Sequence, residues 1–356
     1  MRVLIAGGGT GGHVIPALAI ARELRDKHGA EVRFVGTARG LETRLVPEAG
    51  FELELVRSGQ WKNVSLTTKL RTTCDLPLGV LSCVRLIRQF APHVVVGVGG
   101  YASGPGMLAA VLKGVPTLAY EPNAVPGLTN RRLGKWVSAA AVNFPQTMHY
   151  FRNAQVTGVP VRPEIFAIQS RPVGAPPHLL ITAGSNGALV FNETMPKIAA
   201  HLFAAVPSLS ITHQSGVRHL DSTRAAYAAS GADLTRIRVE AFLTDMSAEY
   251  AAADLVLARS GSTVAELCAA GRASVLVPFA AAADDHQRKN AEVLVQAGAA
   301  VMLLQKDVTP DSLSEALLNL LLNPSRRTEM ATKARALAKE GALERIAAMV
   351  LDLART

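Results

Sequence analysis

Short apolar runs and helical stretches alternate along the whole of this chain. The runs fall at Arg2–Ala6, Glu31–Val35, His93–Val98, Pro116–Tyr120 and Ser138–Val142, and again at His178–Thr182, Leu209–His213, Arg236–Glu240, Asp254–Ala258 and Ser274–Pro278. Runs this short and mostly apolar predict strands of parallel sheets covered by helices. Between them the spacing is helical: Val14, Ala17, Leu18, Ala21 and Leu24 share one face of the first helix, with Gly29 as its stop. The alternation predicts an α/β protein built from parallel, doubly wound sheets. Five prolines between Gly158 and Pro177 separate the two series of strands and read as an interdomain linker.

Each series opens the same way. The first strand runs into Gly7-Gly8-Gly9-Thr10-Gly11-Gly12-His13, and the first strand of the second series runs into Ala183-Gly184-Ser185-Asn186-Gly187. A turn without Cβ atoms lets the backbone approach an anion, and the unpaired N–H groups of the following helix point at it along the positive end of the dipole. Gly7-x-Gly9-x-x-Gly12 also fits the dinucleotide fingerprint. That fingerprint needs an acid after the second strand, where this chain has Gly36-Thr37-Ala38. A phosphate or pyrophosphate ligand is therefore favoured over a redox cofactor or an unliganded tight turn.

Length and composition narrow the class. With 356 residues, 49% hydrophobic and 5% aromatic, the chain suits two domains with parallel sheets under helices. Its apolar stretches stop short of the roughly 20 residues a spanning helix needs, and the N-terminal run is too short for a signal peptide. Cys74, Cys83 and Cys268 form no CxxC pair, which favours a reducing compartment and a cytosolic protein without structural zinc. Cys268 reads as a small core residue on a helix. The net charge of +9 lies in the first half: residues 1–165 hold 19 Lys or Arg against 10 Asp or Glu, and the remainder balances. One-sided charge of this kind predicts that the first half faces a polyanion. Nucleic acid is disfavoured because the basic residues are not interleaved with stacking aromatics.

Further motifs complete the pattern. They are Gly8-Gly9-Thr10-Gly11-Gly12-His13-x-x-Pro16-Ala17-Leu18-Ala19, Gly99-Gly100-Tyr101-x-Ser103-Gly104-Pro105, Glu121-x-Asn123-x-x-x-Gly127-Leu128-Thr129-Asn130 and Gly158-x-Pro160-Val161-Arg162. The second half adds Gly184-Ser185-x-Gly187-Ala188, Asn192, Arg259-Ser260-Gly261, Glu266 and His286-Gln287-x-x-Asn290-Ala291. Together they resemble the MurG family of bacterial glycosyltransferases over nearly the full length. The resemblance implies a GT-B fold, two Rossmann-like doubly wound domains facing a central cleft. It places an acceptor and membrane-binding domain at 1–160, a linker at 161–177 and a UDP-sugar domain at 178–340, with a helix at about 341–356 packing back on the first domain.

The implied activity is transfer of N-acetylglucosamine from UDP-N-acetylglucosamine to undecaprenyl-linked lipid I, giving lipid II for peptidoglycan. No bound metal or other cofactor is implied, since the UDP-sugar is a substrate. On the donor side Glu266 would accept the ribose hydroxyls and the backbone at Leu243 would read the uracil. Ser185 and its turn would take the phosphates, with Arg162 near them, and Asn123 and Gln287 would contact the sugar hydroxyls. Gly8, Gly9, Thr10, Gly11, Gly12 and His13 would hold the acceptor pyrophosphate, with His13 either the base on the attacking hydroxyl or an anion-contacting residue. The implied location is peripheral, on the cytoplasmic face of the cell membrane, with cell-wall synthesis proteins as partners.

Lys69-Leu70-Arg71 leads into Leu76, Leu78, Val80, Leu81, Val84, Leu86, Ile87 and Phe90, with Arg85 and Arg88 among them. So many apolar residues exceed one core-facing stripe and predict docking on an anionic membrane surface, against the alternative of an ordinary core helix. Asp284-Asp285 reads as a helix N-cap rather than a metal-binding pair. Three positions depart from the family pattern. Tyr120-Glu121-Pro122-Asn123 replaces His-Glu-Gln-Asn, Ala183-Gly184-Ser185-Asn186-Gly187 replaces Gly-Gly-Ser-Gln-Gly, and the Gly261–Thr263 loop is one residue shorter. Two other readings stay open, a UDP-N-acetylglucosamine epimerase and a nucleotide-sugar-binding protein without catalysis.

Overall fold

The computed structural model describes residues 1–355 apart from 39, 57–65, 101 and 173; for 66–74 and 283 only the backbone is described. Tyr101 and the side chains of Lys69, Leu70, Arg71 and Cys74 thus lie outside the described residues. The chain divides into two units, Met1–Pro160 with Gly341–Thr356, and Val161–Glu340.

The first unit runs β1 (Arg2–Gly7), α1 (Gly11–His28), β2 (Glu31–Gly36), α2 (Glu42–Glu48), β3 (Glu52–Leu55), α3 (Leu66–Phe90), β4 (Val94–Gly99), α4 (Ser103–Leu112), β5 (Thr117–Glu121), α5 (Leu128–Leu133), β6 (Ala139–Val142) and β7 (Ala154–Val156). Its strands form one parallel sheet in the order β3-β2-β1-β4-β5-β6-β7. The interior strands are buried along nearly their whole length, as sheets covered on both faces must be.

The second unit contains α6 (Pro163–Phe166), β8 (His178–Thr182), α7 (Leu189–Ala205), β9 (Ser210–Gln214), α8 (Leu220–Ala228), β10 (Ile237–Glu240), α9 (Met246–Ala252) and β11 (Leu255–Ala258). It continues with α10 (Thr263–Ala270), β12 (Ala273–Leu276), α11 (His286–Gln296), β13 (Ala300–Met302), α12 (Pro310–Leu321) and α13 (Pro324–Ala336). Its sheet is parallel as well, in the order β10-β9-β8-β11-β12-β13.

Strand order reverses at β1/β4 in the first sheet and at β8/β11 in the second. Loops diverge there at the carboxyl ends of the strands and leave a crevice, the usual ligand position in open α/β sheets. Both glycine turns follow the strand on which the order reverses.

The residues read as a linker, 161–177, fall in the second unit and include α6. After α13 the chain forms α14 (Ala342–Leu353), which lies against α1 and the β4–β6 face of the first sheet. Ile346, Ala347, Met349 and Val350 join Val3, Ile5, Ala17, Ile20, Leu24 and Val96 in one buried cluster. Helix α1 is consequently buried on two sides, and Ile20, off the face read from the sequence, is fully buried. Arg345 fixes α14 by donating from Nη2 to the carbonyl of Thr157 at 2.7 Å.

Three strands have no counterpart in the sequence reading. β3 reads Glu-Leu-Glu-Leu and is mostly exposed, while β7 and β13 have three residues each. All three are edge strands. An edge strand needs no continuous apolar run, so its pattern is weak.

Candidate functional site

The first glycine turn is shaped from three directions. Gly100 lies so close to the carbonyl of Gly8 that a Cβ there would collide with it, and Gly100 also has φ +81°. Only glycine suits both constraints. The neighbouring Gly99 receives the His13 ring, whose Nε2 lies 2.9 Å from where a Gly99 Cβ would stand. The ring is held from the other side by a 3.1 Å hydrogen bond between Nδ1 and Thr10 Oγ1. Among the described residues the N–H groups of Thr10, Gly11 and Gly12 make no hydrogen bond. These donors at the start of α1 are the ones open to an anion.

Gly9 is different, and the sequence reading missed why. Its N–H donates to Oε2 of Glu42 at 2.6 Å, while Oε1 of the same carboxylate accepts from Thr37 N–H and Oγ1 at 3.0 Å each. Glu42 is 1% exposed. The turn is therefore braced by a buried carboxylate, and of the residues proposed to hold pyrophosphate, Gly8 and Gly9 have their N–H groups already engaged, Gly8 on the carbonyl of Gly99 at 3.2 Å. Gly8, Gly36 and Gly40 leave room for that side chain. The signal in the sequence was a lone Glu after a Gly-Thr turn, indistinguishable from an ordinary helix-start acid.

A second buried carboxylate organises the loop after β5. Glu121 accepts from Asn123 N and Nδ2 at 3.1 and 3.0 Å, from Gly127 N at 3.0 Å and from Asn130 Nδ2 at 3.0 Å. Burial pushes its carboxyl above the usual range and these donors pull it back. Asn123 thus spends its amide N–H on Glu121, and its carbonyl accepts from Thr147 Oγ1. Pro122 is locked by Asn143 Nδ2 donating to its carbonyl. Tyr120 points into the sheet core, where its hydroxyl has no partner among the described residues.

In the second unit the proposed donor residues sit at the carboxyl edge of the sheet. Ser185 is exposed in the turn after β8, which closes through Gly187 N–H donating to Gly184 O at 3.1 Å. Gln214 holds that turn by donating to Gly184 O at 3.1 Å and accepting from Thr182 Oγ1 at 2.9 Å; Asn192 donates to Ser215 O. Leu243 follows β10 with its side chain buried. Gln287, on α11, accepts from Phe279 N–H through Oε1 at 2.9 Å, and its Nε2 lies beside Gly261. Ser260 and Asn290 tie the two loops together, through Ser260 Oγ to Gln287 O and Asn290 Nδ2 to Ser260 O.

Glu266, in the first turn of α10, accepts from the hydroxyl of Tyr250 through Oε2 at 2.9 Å. Burial raises its pKa, and the Tyr250 hydroxyl and the nearby positive charge of Arg162 oppose that rise. Arg162 therefore acts electrostatically on the Glu266–Tyr250 pair from the N-cap of α6. Arg259 lies among Phe191 and Phe279 and donates to the carbonyls of Val277 and Pro278; burial lowers its pKa to about 10.

One sequence reading needs correction. Asp285 occupies the N-cap position of α11 but its side chain makes no cap hydrogen bond, and both Asp284 and Asp285 have φ +55°. The tight left-handed turn, rather than capping, accounts for the pair. On α3, Cys83, Leu86, Ile87 and Phe90 belong to the core, leaving Leu78 and Leu81 exposed. Cys83 and Cys268 are buried free thiols, both pushed up to about 12 by burial.

Comparison with known proteins agrees with this architecture. Residues 3–142 match the glycosyltransferase family 28 N-terminal domain and residues 178–346 the family 28 C-terminal domain. A protein of Anaeromyxobacter dehalogenans named UDP-N-acetylglucosamine–N-acetylmuramyl-(pentapeptide) pyrophosphoryl-undecaprenol N-acetylglucosamine transferase is 43% identical, over 100% of this chain and 94% of its own. The chain belongs to the MurG family of glycosyltransferases. A relative of the same name from Solibacter usitatus is also 43% identical, over 99% of this chain and 96% of its own. The crystal structure of Acinetobacter baumannii MurG superposes with a TM-score of 0.81 at 34% identity, covering 99% of both chains. The UDP-GlcNAc 2-epimerase of Neisseria meningitidis, with a TM-score of 0.66, 14% identity and coverage of 99% of this chain and 100% of its own, shares the GT-B fold alone.

Proposed function

We propose that this MurG-family chain transfers N-acetylglucosamine from UDP-N-acetylglucosamine to the 4-hydroxyl of the muramyl sugar of undecaprenyl-linked lipid I, giving lipid II. The full-length relation to transferases whose names state that activity carries the reading. In the mechanism the acceptor hydroxyl attacks the anomeric carbon, the bond to UDP breaks, and configuration inverts. His13 takes the hydroxyl proton. A base role requires the tautomer in which Nδ1–H donates to Thr10 Oγ1 across their 3.1 Å contact, which puts the lone pair on Nε2. The departing diphosphate is stabilised by the start of α7 behind Gly184–Ser185 and by Arg162, an electrostatic role that needs no resident metal. Glu266 accepts the ribose hydroxyls, the backbone at Leu243 reads the base, and Gln287 offers Nε2 to the sugar. Asn123, already committed to Glu121, contributes through the rigid loop it closes. Thr10, Gly11 and Gly12 hold the acceptor pyrophosphate.

We infer peripheral docking from the exposed side of α3, where Leu78, Leu81, Arg85 and Arg88 follow one another at spacings of three and four. That stripe matches an interfacial helix meeting anionic headgroups. Among the described residues no helix is long and apolar enough to cross a membrane. Transfer of labelled N-acetylglucosamine from the UDP donor, with and without a lipid-linked acceptor, tests the function. Acceptor-dependent product is expected; donor epimerisation without transfer would overturn it.

A further inference from the structure

Helices α9 and α10 flank β11 at its two ends and bring together two side chains 16 positions apart, Tyr250 and Glu266. We propose that Tyr250 is the positioning residue for the nucleotide ribose, fixing which oxygens of the Glu266 carboxylate are offered to its hydroxyls. The inference rests on the reading that Glu266 binds the ribose.

A glutamate carboxylate turns about a broad terminal torsion, so alone it presents no fixed pair of acceptors. It has about four lone-pair sites. Tyr250 occupies one of them, on Oε2, through a 2.9 Å hydrogen bond, and the plane of the group is then set. About three acceptor sites remain, enough for both hydroxyls of a vicinal diol. The phenol can hold that plane because it is itself fixed. Tyr250 is 0% exposed, and its backbone carbonyl accepts from Arg272 Nε at 2.6 Å, a buried guanidinium that also donates to Gln169 and Ala251 carbonyls. Burial raises the Tyr250 pKa well above the ordinary phenol range, so the hydroxyl stays a donor.

The same bond governs protonation. A neutral carboxyl group has lost one acceptor site to its own proton, so the diol is received best by the carboxylate. Burial favours the neutral form, and the groups that oppose burial are the Tyr250 hydroxyl from α9 and Arg162 from the cap of α6. On the other two helices packed against α10, three basic side chains have partners of their own. Arg335 of α13 donates to the carbonyls of Phe166, Ile168, Ala269 and Ala270, while Arg288 and Lys289 of α11 pair with Glu292.

Calorimetric titration of the full chain with UDP and with its 2′,3′-dideoxy analogue, across pH, tests this. Tyr250→Phe removes one oxygen and keeps the ring, and a melting curve checks that the variant is folded. UDP affinity is expected to fall about tenfold, the scale of one charge-assisted hydrogen bond, while affinity for the dideoxy analogue stays unchanged. The acid-side loss of UDP affinity should also move to higher pH, because Glu266 has lost a group that kept it ionised. A structural role alone would weaken both ligands equally and leave the acid limb in place, and that result overturns the proposal, as does wild-type UDP affinity. Glu266→Gln supplies the second arm: the amide oxygen still accepts from Tyr250, but the acid limb should vanish. Glu266→Ala separates the two readings. If it erases discrimination between UDP and the analogue while Tyr250→Phe behaves as wild type, the Tyr250 inference alone falls. If Glu266→Ala leaves discrimination intact, the ribose assignment falls and the inference with it.

Discussion

Two side chains around the first glycine turn make different demands on the chemistry. His13 is gripped between Thr10 and Gly99, a geometry that suits a base aimed at one point. His13→Ala is expected to lower turnover at saturating acceptor by about 10² to 10⁴; a change confined to the acceptor KM would reassign it to anion contact. Glu42 acts one step back. All three of its partners are donors, so Glu42→Gln sets an NH2 group against one of them. A buried donor left without an acceptor costs about 1–3 kcal/mol. Denaturant unfolding should show that loss and the acceptor KM should rise, with UDP affinity unchanged because the proposed UDP contacts lie in the other unit. Unchanged stability and KM would show that the bond is incidental. At this scale the sequence singles out a residue where a motif carries it, as for His13, Glu266 and Gln287. It was silent on Glu42, Gln214 and Tyr250, whose partners are brought to them only by the sheet.

At the level of elements, legibility followed burial. Ten strands declared themselves through short apolar-rich runs, and of these only β10 lies at a sheet edge, whereas β3, β7 and β13 all lie at edges where one side needs no cover. Helix α3 shows the reverse case. Its apolar excess was visible, but only the packing of α3 on α4 and the sheet separates core residues such as Leu86 and Ile87 from Leu78 and Leu81. The docking model then makes a narrow claim. Arg85→Glu with Arg88→Glu should weaken binding to anionic vesicles by at least about fivefold per residue, from a contribution of about 1 kcal/mol for each basic group near the surface. Leu78→Ser with Leu81→Ser should weaken binding to neutral and anionic vesicles alike. Vesicle flotation at low and high salt measures both, and salt-independent binding would contradict the electrostatic part.

For the molecule as a whole, the excess of positive charge belongs to residues 1–165, the half proposed to meet lipid, while the second half is balanced and is proposed to hold a soluble nucleotide. Among the described residues no group of three or more His, Cys, Asp or Glu is placed to hold a metal ion, and transfer is expected to proceed undiminished in excess EDTA; a loss restored by Mg²⁺ would mean that the leaving diphosphate is stabilised differently. The division into units also has a consequence for biosynthesis. The chain leaves the first unit at Pro160 and returns at Gly341, so a ribosome must add Val161–Glu340 before α14 exists, about 10 to 40 s at about 5–20 residues per second. Throughout that interval the surface of α1 and the first sheet that later receives Ile346 and Val350 is open to water, although every strand of that sheet has already been made. Nascent chains arrested before residue 341 should therefore show protease protection in the second unit earlier than in the first, giving the N-terminal half the later folding date.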